Sequence, residues 1–382
     1  MQQRTKTGRL VRWGVPVAAV AVIAGAISAG PVIAAVSGEP VLPERTAGQL
    51  LADAAAAVQK DGMKPMSGTV LETASLGLPA LPTGVDASSP ISLLSGSREA
   101  KVWYGDGDHF RLALPGKMSE TNVIVNGDQT WLWDSGTNTA TKIKAPAGVG
   151  QREEPPSHTP AAVTPQQAAE KVLAAAGEHT DVSVTNNTKV AGRPVYQLVL
   201  APKAEASLVQ QVRVALDGET YVPLQVEVYA KGSAEPAFKV GFTQVTFTPP
   251  AKENFTFTPP AGATVKEQTI GAGDLAGKPE HTGPDKELEA QVKTVGTGWT
   301  TVAVAPFSAD ALTAAPKQGE QEGPDLSGFA DTVLKSATPV SGPWGSGKVI
   351  KTKLVSVLLT DDGRVLAGAV TPEELTKAAG IR

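Results

Sequence analysis

No cysteine occurs among the 382 residues, which excludes disulfides, thiolate metal sites, a cysteine nucleophile and a lipid-modified cysteine anchor. Histidine is almost as scarce, with four residues, and His109, His158, His179 and His281 lack the i+3 or i+4 partner of a zinc site. Aromatic residues make up only 5%. No charge of one sign dominates either: 34 Lys+Arg stand against 38 Asp+Glu, a net charge of −4, so nothing calls for nucleic acid as a partner. What is present, 41% hydrophobic residues with 39 glycines and 30 prolines, belongs to a globular chain. Its length suits one large or two moderate domains.

Arg4, Lys6, Arg9 and Arg12 precede a run from Trp13 to Val36 that carries no charge, and no acidic residue occurs before Glu39. A basic start, an apolar stretch and the small residues Ala29, Ala34 and Ala35 fit a secretory signal cut after Ala34. The run is also long enough to cross a bilayer as a helix, although Gly14, Pro16, Gly25, Gly30 and Pro31 weaken it. Residues 1–36 are therefore a signal peptide or an N-terminal membrane anchor. Either way the remainder is expected outside the cytoplasm, secreted or held at the outer face of the membrane.

Thr46 and Gln49 form a capping box that opens a helix with Leu50, Leu51, Ala54, Ala57 and Val58 on one stripe, ending near Lys60 before Gly62. From Ser67 the period changes to two, the pattern of antiparallel strands separated by turn residues. Strands are expected at 67–75, 98–104, 109–114, 121–126, 130–134 and 139–144. A helix intervenes, with Thr164 as N-cap, Pro165 in its first turn, Gln167 closing the box and Gly177 as its stop. Strands resume at 182–189, 194–200, 208–217, 221–230 and 237–246, with turns at Asp217-Gly218 and Lys231-Gly232.

Residues 145–163 read as an exposed loop. A second loop, 76–97, carries Leu76, Leu78, Leu81, Ile91, Leu93 and Leu94, so it either gates a pocket or packs on the sheet edge. Residues 266–290 have few apolar anchors and read as a linker. Beyond them a smaller module is expected: a strand at 299–305, a helix stripe of Leu326, Phe329, Ala330, Val333 and Leu334, a hairpin of 348–359 with 365–370, and a last helix boxed by Thr371, Pro372 and Glu374.

Catalytic signatures are missing. Gly342 to Lys348 has the spacing of a phosphate-binding loop, but Val349 stands where Ser or Thr would hold magnesium, and the alternation that follows is that of a strand, not a helix. The segment reads as a glycine-rich turn. No Gly-x-Ser-x-Gly elbow occurs, and Asp106, Asp108, Asp361 and Asp362 sit in turns where acids are ordinary. No cofactor, metal or catalytic residue is assigned. A hydrolase using a cavity as substrate tunnel lacks any visible nucleophile.

The strands alternate. Leu224, Val226 and Val228 face away from Gln225, Glu227 and Tyr229, as do Val212, Val214 and Leu216 from Gln211 and Arg213. Phe110, Leu112 and Leu114, and Phe238, Val240 and Phe242, repeat the pattern. About eleven strands thus share one apolar face, with two good helices to lay against it. Such a sheet either packs fully or leaves an apolar cavity suited to an acyl chain. Trp131 and Trp133 would add large walls, with Leu132 on the other side.

The first helix, Ser67-Gly-Thr-Val70, Trp103-Tyr104, Val123-Ile-Val-Asn-Gly127, Trp131-Leu-Trp133, Arg193-Pro-Val-Tyr-Gln-Leu-Val-Leu200 and Phe255-Thr-Phe-Thr-Pro-Pro-Ala-Gly262 together resemble the LolA/RseB superfamily, and within it the exported LolA-like proteins of high-GC Gram-positive bacteria. The resemblance covers about residues 40–265. It implies a mainly β (α+β) fold, a half-open antiparallel barrel with a helical lid, whose concave face takes acyl chains of a lipid or lipoprotein. The C-terminal part resembles, more faintly, the second domain of RseB-like regulators, which bind an anti-sigma factor at the membrane.

The expected organisation is thus 1–36 for export, 40–265 for the half-barrel, 266–290 for the linker and 291–382 for a small α+β domain. The function expected is that of a non-enzymatic lipid or lipoprotein carrier; the alternative is an RseB-like regulator with a membrane protein as partner through the C-terminal domain. Trp103, Phe110, Leu112, Trp131, Trp133, Val212, Val214, Leu224, Val226 and Phe238 are the expected cavity lining, and Leu50, Leu51, Leu93 and Leu94 the lid.

Overall fold

The computed structural model describes residues 41–79, 92, 94–144, 164–269, 292–307 and 327–381. The export segment 1–36, Leu93 and most of the 76–97 loop, the 145–163 loop, Leu326 and the 270–290 part of the expected linker lie outside the described residues.

One 12-stranded sheet organises the first part of the chain. Its first half is a meander: β1 (Met66–Ser75), β2 (Ser95–Asp106), β3 (His109–Pro115), β4 (Glu120–Asn126), β5 (Gln129–Asp134) and β6 (Thr139–Lys144). Its second half is β7 (Thr180–Val190), β8 (Arg193–Pro202), β9 (Val209–Asp217), β10 (Pro223–Ala230) and β11 (Pro236–Thr246). The halves join where β1 pairs antiparallel with β11, and the sheet is not closed. All eleven expected strands form. A twelfth, β12 (Thr264–Thr269), pairs in parallel with β6 and was not expected, because Thr, Lys, Glu and Gln dominate its sequence. An edge strand needs no apolar alternation to pair through its backbone.

Gly68, within Ser67-Gly-Thr-Val70, is required by the seam: a Cβ there would stand 2.8 Å from the Phe242 ring. An irregularity in the β1–β11 register between Thr69 and Val70 adjoins it.

Helix α1 (Ala47–Asp61) has the expected box, with Thr46 Oγ1 accepting from the Gln49 amide and Gln49 Oε1 accepting from the Thr46 amide. Helix α2 (Pro165–Gly177) is capped in the same way by Thr164 and Gln167. Leu50, Leu51, Ala52 and Ala54 of α1 form one buried cluster with Tyr196, Leu198, Leu200, Val214 and Leu216, so α1 is packed on one face of β8 and β9. A second cluster joins Met66, Val195, Ala215 and Leu224.

The smaller sheet has six strands: β13 (Lys293–Val295), β14 (Val302–Pro306), β15 (Thr338–Gly342), β16 (Gly345–Lys351), β17 (Ser356–Thr360) and β18 (Arg364–Gly368). Helix α3 (Ser327–Lys335) precedes β15, and α4 (Pro372–Ala379) ends the fold with Leu375 buried against Leu358 and Leu366. Several details correct the reading of this region. Trp299 lies in a 3-10 turn rather than a strand, and 348–359 is two strands joined by a turn in which Thr352 accepts from the Leu354 and Val355 amides. Thr371 caps α4 without the side-chain bond of a capping box. The glycine-rich segment is a hairpin turn, with Gly345 at φ 118° and Gly342 paired to it.

The two sheets are hydrogen-bonded to each other. Leu208 donates to the Ala369 carbonyl and Thr371 to that of Ala206, both at 2.8 Å, around an antiparallel bridge between Ser207 and Val370. Trp299 Nε1 donates to Thr180 Oγ1 at 2.8 Å, and Lys353 donates from its backbone to Leu76 and from Nζ to Ser75.

Leu50 is fully buried, so Leu50→Ala removes the centre of the α1 contact and is expected to cost about 3 kcal/mol. Denaturant unfolding followed by circular dichroism checks this.

Candidate functional site

In a sheet, residues directly opposite one another share a face. The register therefore decides which of the expected lining residues can meet. One row runs Val184, Leu198, Val214, Val226, Val240, Glu72 and Arg98. The next runs Val182, Leu200, Val212, Val228, Phe238 and Ala74. On the same face the first half continues with Val102, Leu112, Val123 and Leu132, and with Tyr104, Phe110, Val125 and Thr130. Phe110, Leu112, Val212, Val214, Val226 and Phe238 thus share one face of the sheet.

Trp103, Trp131 and Trp133 do not. Trp103 aligns with Arg111, Ile124, Trp131 and Lys142, and Trp133 with Asn122 and Ala140, all on the opposite face. That face has a cover of its own, the segment after β11. Phe257 lies 5.5 Å from the Trp131 ring and 5.7 Å from that of Trp133, Phe255 lies 5.6 Å from His109, and Arg111 donates to the Asn254 carbonyl. Arg111 and Lys142 stack over Trp103 and Trp131 at 5.2 and 5.6 Å. Alternation shows that Trp131 and Leu132 face opposite ways, but not which way is inward. The aromatics Phe255 and Phe257, quoted in the sequence only as part of a resemblance, were the available sign of a cover.

Leu224 also leaves the expected row. A register irregularity lies between Pro223 and Gln225, and Leu224 packs with Met66 and Val195, not in the α1 cluster that Val226 lines. The lid residues divide as well: Leu50 and Leu51 are packed, whereas Leu94 is 38% exposed.

The face is consequently of two kinds. Under α1, Leu198, Val214 and Leu216 are fully enclosed. Along β2 to β5, Val102, Tyr104, Phe110, Leu112, Val123 and Val125 are only half-buried and Leu132 is 37% exposed. Ion pairing marks the border at α1: Arg45 Nη1 stands 3.3 Å from Asp53, beside the stacked rings of Tyr196 and Tyr221. A hydrogen bond to Tyr196 raises the Arg45 pKa, and burial, then the Asp53 charge, raises that of Tyr221.

Among the described residues, the strands carry one buried acid on the apolar face. Glu72 is 9% exposed, and both its carboxylate oxygens are buried without a hydrogen-bond partner. Arg98, opposite on β2, approaches only to 3.8 Å, and its Nη1 donates to the Ser92 carbonyl. Burial raises the Glu72 pKa, with the Arg98 charge opposing. Two other buried carboxylates do find donors: Asp217 accepts from Arg193, Thr220 and two backbone amides, and Glu227 from Tyr229 beside Lys239, whereas Asp53 Oδ2 is buried without one. Among the described residues no group of three acids or histidines is placed to hold a metal, and no helix is long and apolar enough to cross a membrane.

A family model described as "Predicted periplasmic protein (DUF2092)" matches residues 82–266. Among solved structures the chain is similar to that of Pseudomonas aeruginosa MucB in complex with MucA, at 14% identity over 87% of this chain and 96% of that one, with a TM-score of 0.39. It is also similar to a LolA superfamily protein from Nitrosomonas europaea, at 12% identity over 56% of this chain and 99% of that one, TM-score 0.21. A third is a putative outer membrane lipoprotein-sorting protein domain from Vibrio parahaemolyticus, at 13% identity over 52% and 92%, TM-score 0.19. No curated protein matches the chain. At such identities and scores these likenesses carry no ligand or partner over to this chain.

Two expectations test this geometry. Phe257→Ala uncovers Trp131 and Trp133: tryptophan emission should shift to the red, with a loss of about 1 kcal/mol from the aromatic contacts. Because the folded-state pKa of Glu72 lies above the ordinary carboxylate value of 4.5, its charge destabilises the fold above that raised pKa, and stability is regained as pH falls. Glu72→Gln should therefore be more stable than the parent at neutral pH, by about 1 kcal/mol. The advantage should shrink as pH falls towards 4.5, as unfolding curves across that range would register.

Proposed function

We propose that this chain is an exported, non-enzymatic protein that takes an acyl chain of a lipid or lipoprotein onto the face lined by Phe110, Leu112, Val212, Val226 and Phe238. The observation that carries the reading is the unequal covering of that face. Helix α1 encloses the β8–β9 side, while Tyr104, Phe110, Leu112, Val123 and Leu132 remain half-buried or exposed in adjoining rows. An extended hydrocarbon would complete the burial, at about 25 cal/mol for each Å² removed from water. Export is supported by the basic, then uncharged, N-terminal sequence and by the periplasmic description of the matching family model.

A second reading, a regulator with a membrane protein as partner, is favoured by one observation: the six-stranded sheet is tied to the root of the 76–97 loop through Lys353, at Ser75 and Leu76. Occupancy of the face could reach the smaller sheet by that contact.

Native mass spectrometry of the chain purified without detergent, followed by organic extraction, tests the first reading. An acyl lipid or acylated peptide should copurify, be lost in Leu112→Asp, and persist in Trp131→Ala on the other face. A ligand-free mass with no uptake of a fluorescent fatty acid would sink the carrier reading and leave the second.

A further inference from the structure

The row that crosses the seam between the two halves of the sheet is apolar from Val184 to Val240 and then meets a carboxylate. Glu72 lies directly between Val240 of β11 and Arg98 of β2, on the face just described. A core-packing role does not account for it, since leucine or valine would continue the row without loss. Arg98 stands at ion-pair distance, 3.8 Å, but beyond hydrogen-bond reach, and gives its bond to the Ser92 carbonyl, so the pair leaves both carboxylate oxygens without a donor. A buried carboxylate normally receives two or more donors, as Asp217 does here, and one left without them costs free energy that a bound partner can recover. Its position matters as much as its chemistry. The row Val102, Leu112 and Val123 meets β1 at Gly68, four residues or about 13 Å along the strand from Glu72, so a tail that starts at Glu72 runs along β1 past Val70 before it reaches that half-buried stretch.

We infer that Glu72 is the head-group anchor of the apolar face, accepting hydrogen bonds from an amphiphile whose polar end is a donor, an ammonium or a hydroxyl group, rather than a bare anion. This rests on the acyl-binding reading and deepens it by naming the ligand's polar end. Arg98 keeps the site from carrying a net charge when it is empty, and its bond to Ser92 leaves the carboxylate as the free acceptor. Hydroxyl-bearing and amine-bearing heads share this donor chemistry, and the variants separate them. Glutamine retains an acceptor oxygen for a hydroxyl but loses the charge that an ammonium needs.

The test uses the full chain and four probes below their micellar concentrations: N-phenylnaphthylamine as a headless apolar reporter, and dodecylamine, dodecyl glucoside and laurate as competitors with tails of matched length. The parent should bind dodecylamine or dodecyl glucoside roughly tenfold tighter than laurate, the size of one charge-assisted hydrogen bond. Glu72→Ala should abolish that preference while leaving reporter binding unchanged. In Glu72→Gln, loss of the amine preference alone assigns an ammonium, and a retained glucoside preference assigns a hydroxyl. Equal binding of all heads by the parent, or the same preference in Glu72→Ala, overturns the anchor while the acyl-binding reading stands. Failure of the parent to take up the reporter overturns both. Circular dichroism of each variant separates misfolding from loss of the site, and the glutamine variant, of nearly equal volume, remains decisive if the alanine variant unfolds.

Discussion

A single sheet with apolar residues on both faces must be covered twice, and the rest of this structure follows from how that demand is met. Burial of apolar area is the main favourable term in folding, and an open sheet of twelve strands has far more of it than two helices can hide. One cover is α1, whose Leu50 and Leu51 sit among Leu198, Val214 and Leu216. The other is the segment carrying Phe255 and Phe257, which lies across the face of Trp131 and Trp133. Each is local, and between them the rows along β2 to β5 keep half-buried apolar side chains.

The polar groups on the α1-facing side fall into the same order. At the end of α1, Arg45 and Asp53 meet as an ion pair at 3.3 Å beside Tyr196 and Tyr221. Glu72 has Arg98 at 3.8 Å but no hydrogen-bond donor, whereas Asp217 and Glu227 each receive one or more. The smaller sheet, joined through Ala206, Leu208, Thr371 and Lys353, meets the larger one at the root of the loop whose Ser92 carbonyl receives Arg98.

Most of the element order was legible in the sequence because local rules write it. Thr46 with Gln49 and Thr164 with Gln167 announce two helices by a bond that spans three residues, and the period of two in β1 to β11 marks each strand independently of its partners. The errors are those that such rules make. The polar strand β12 has no period to read, Trp299 carries a strand-forming residue into a turn, and Pro223 with Gln225 breaks the alternation that had joined Leu224 to Val226.

The sequence by itself determined that the chain builds a large antiparallel sheet with an apolar face and carries no cysteine, because composition and short-range periodicity carry those facts. Only the tertiary structure decided which side of that sheet is which. Parity along a strand is local, but the identity of a face depends on the cover that reaches it from elsewhere in the chain. Phe257 therefore took the tryptophans away from the expected cavity, α1 turned Val214 from wall into core, and the seam between β1 and β11 placed Glu72 in a row of valines from strands more than a hundred residues away.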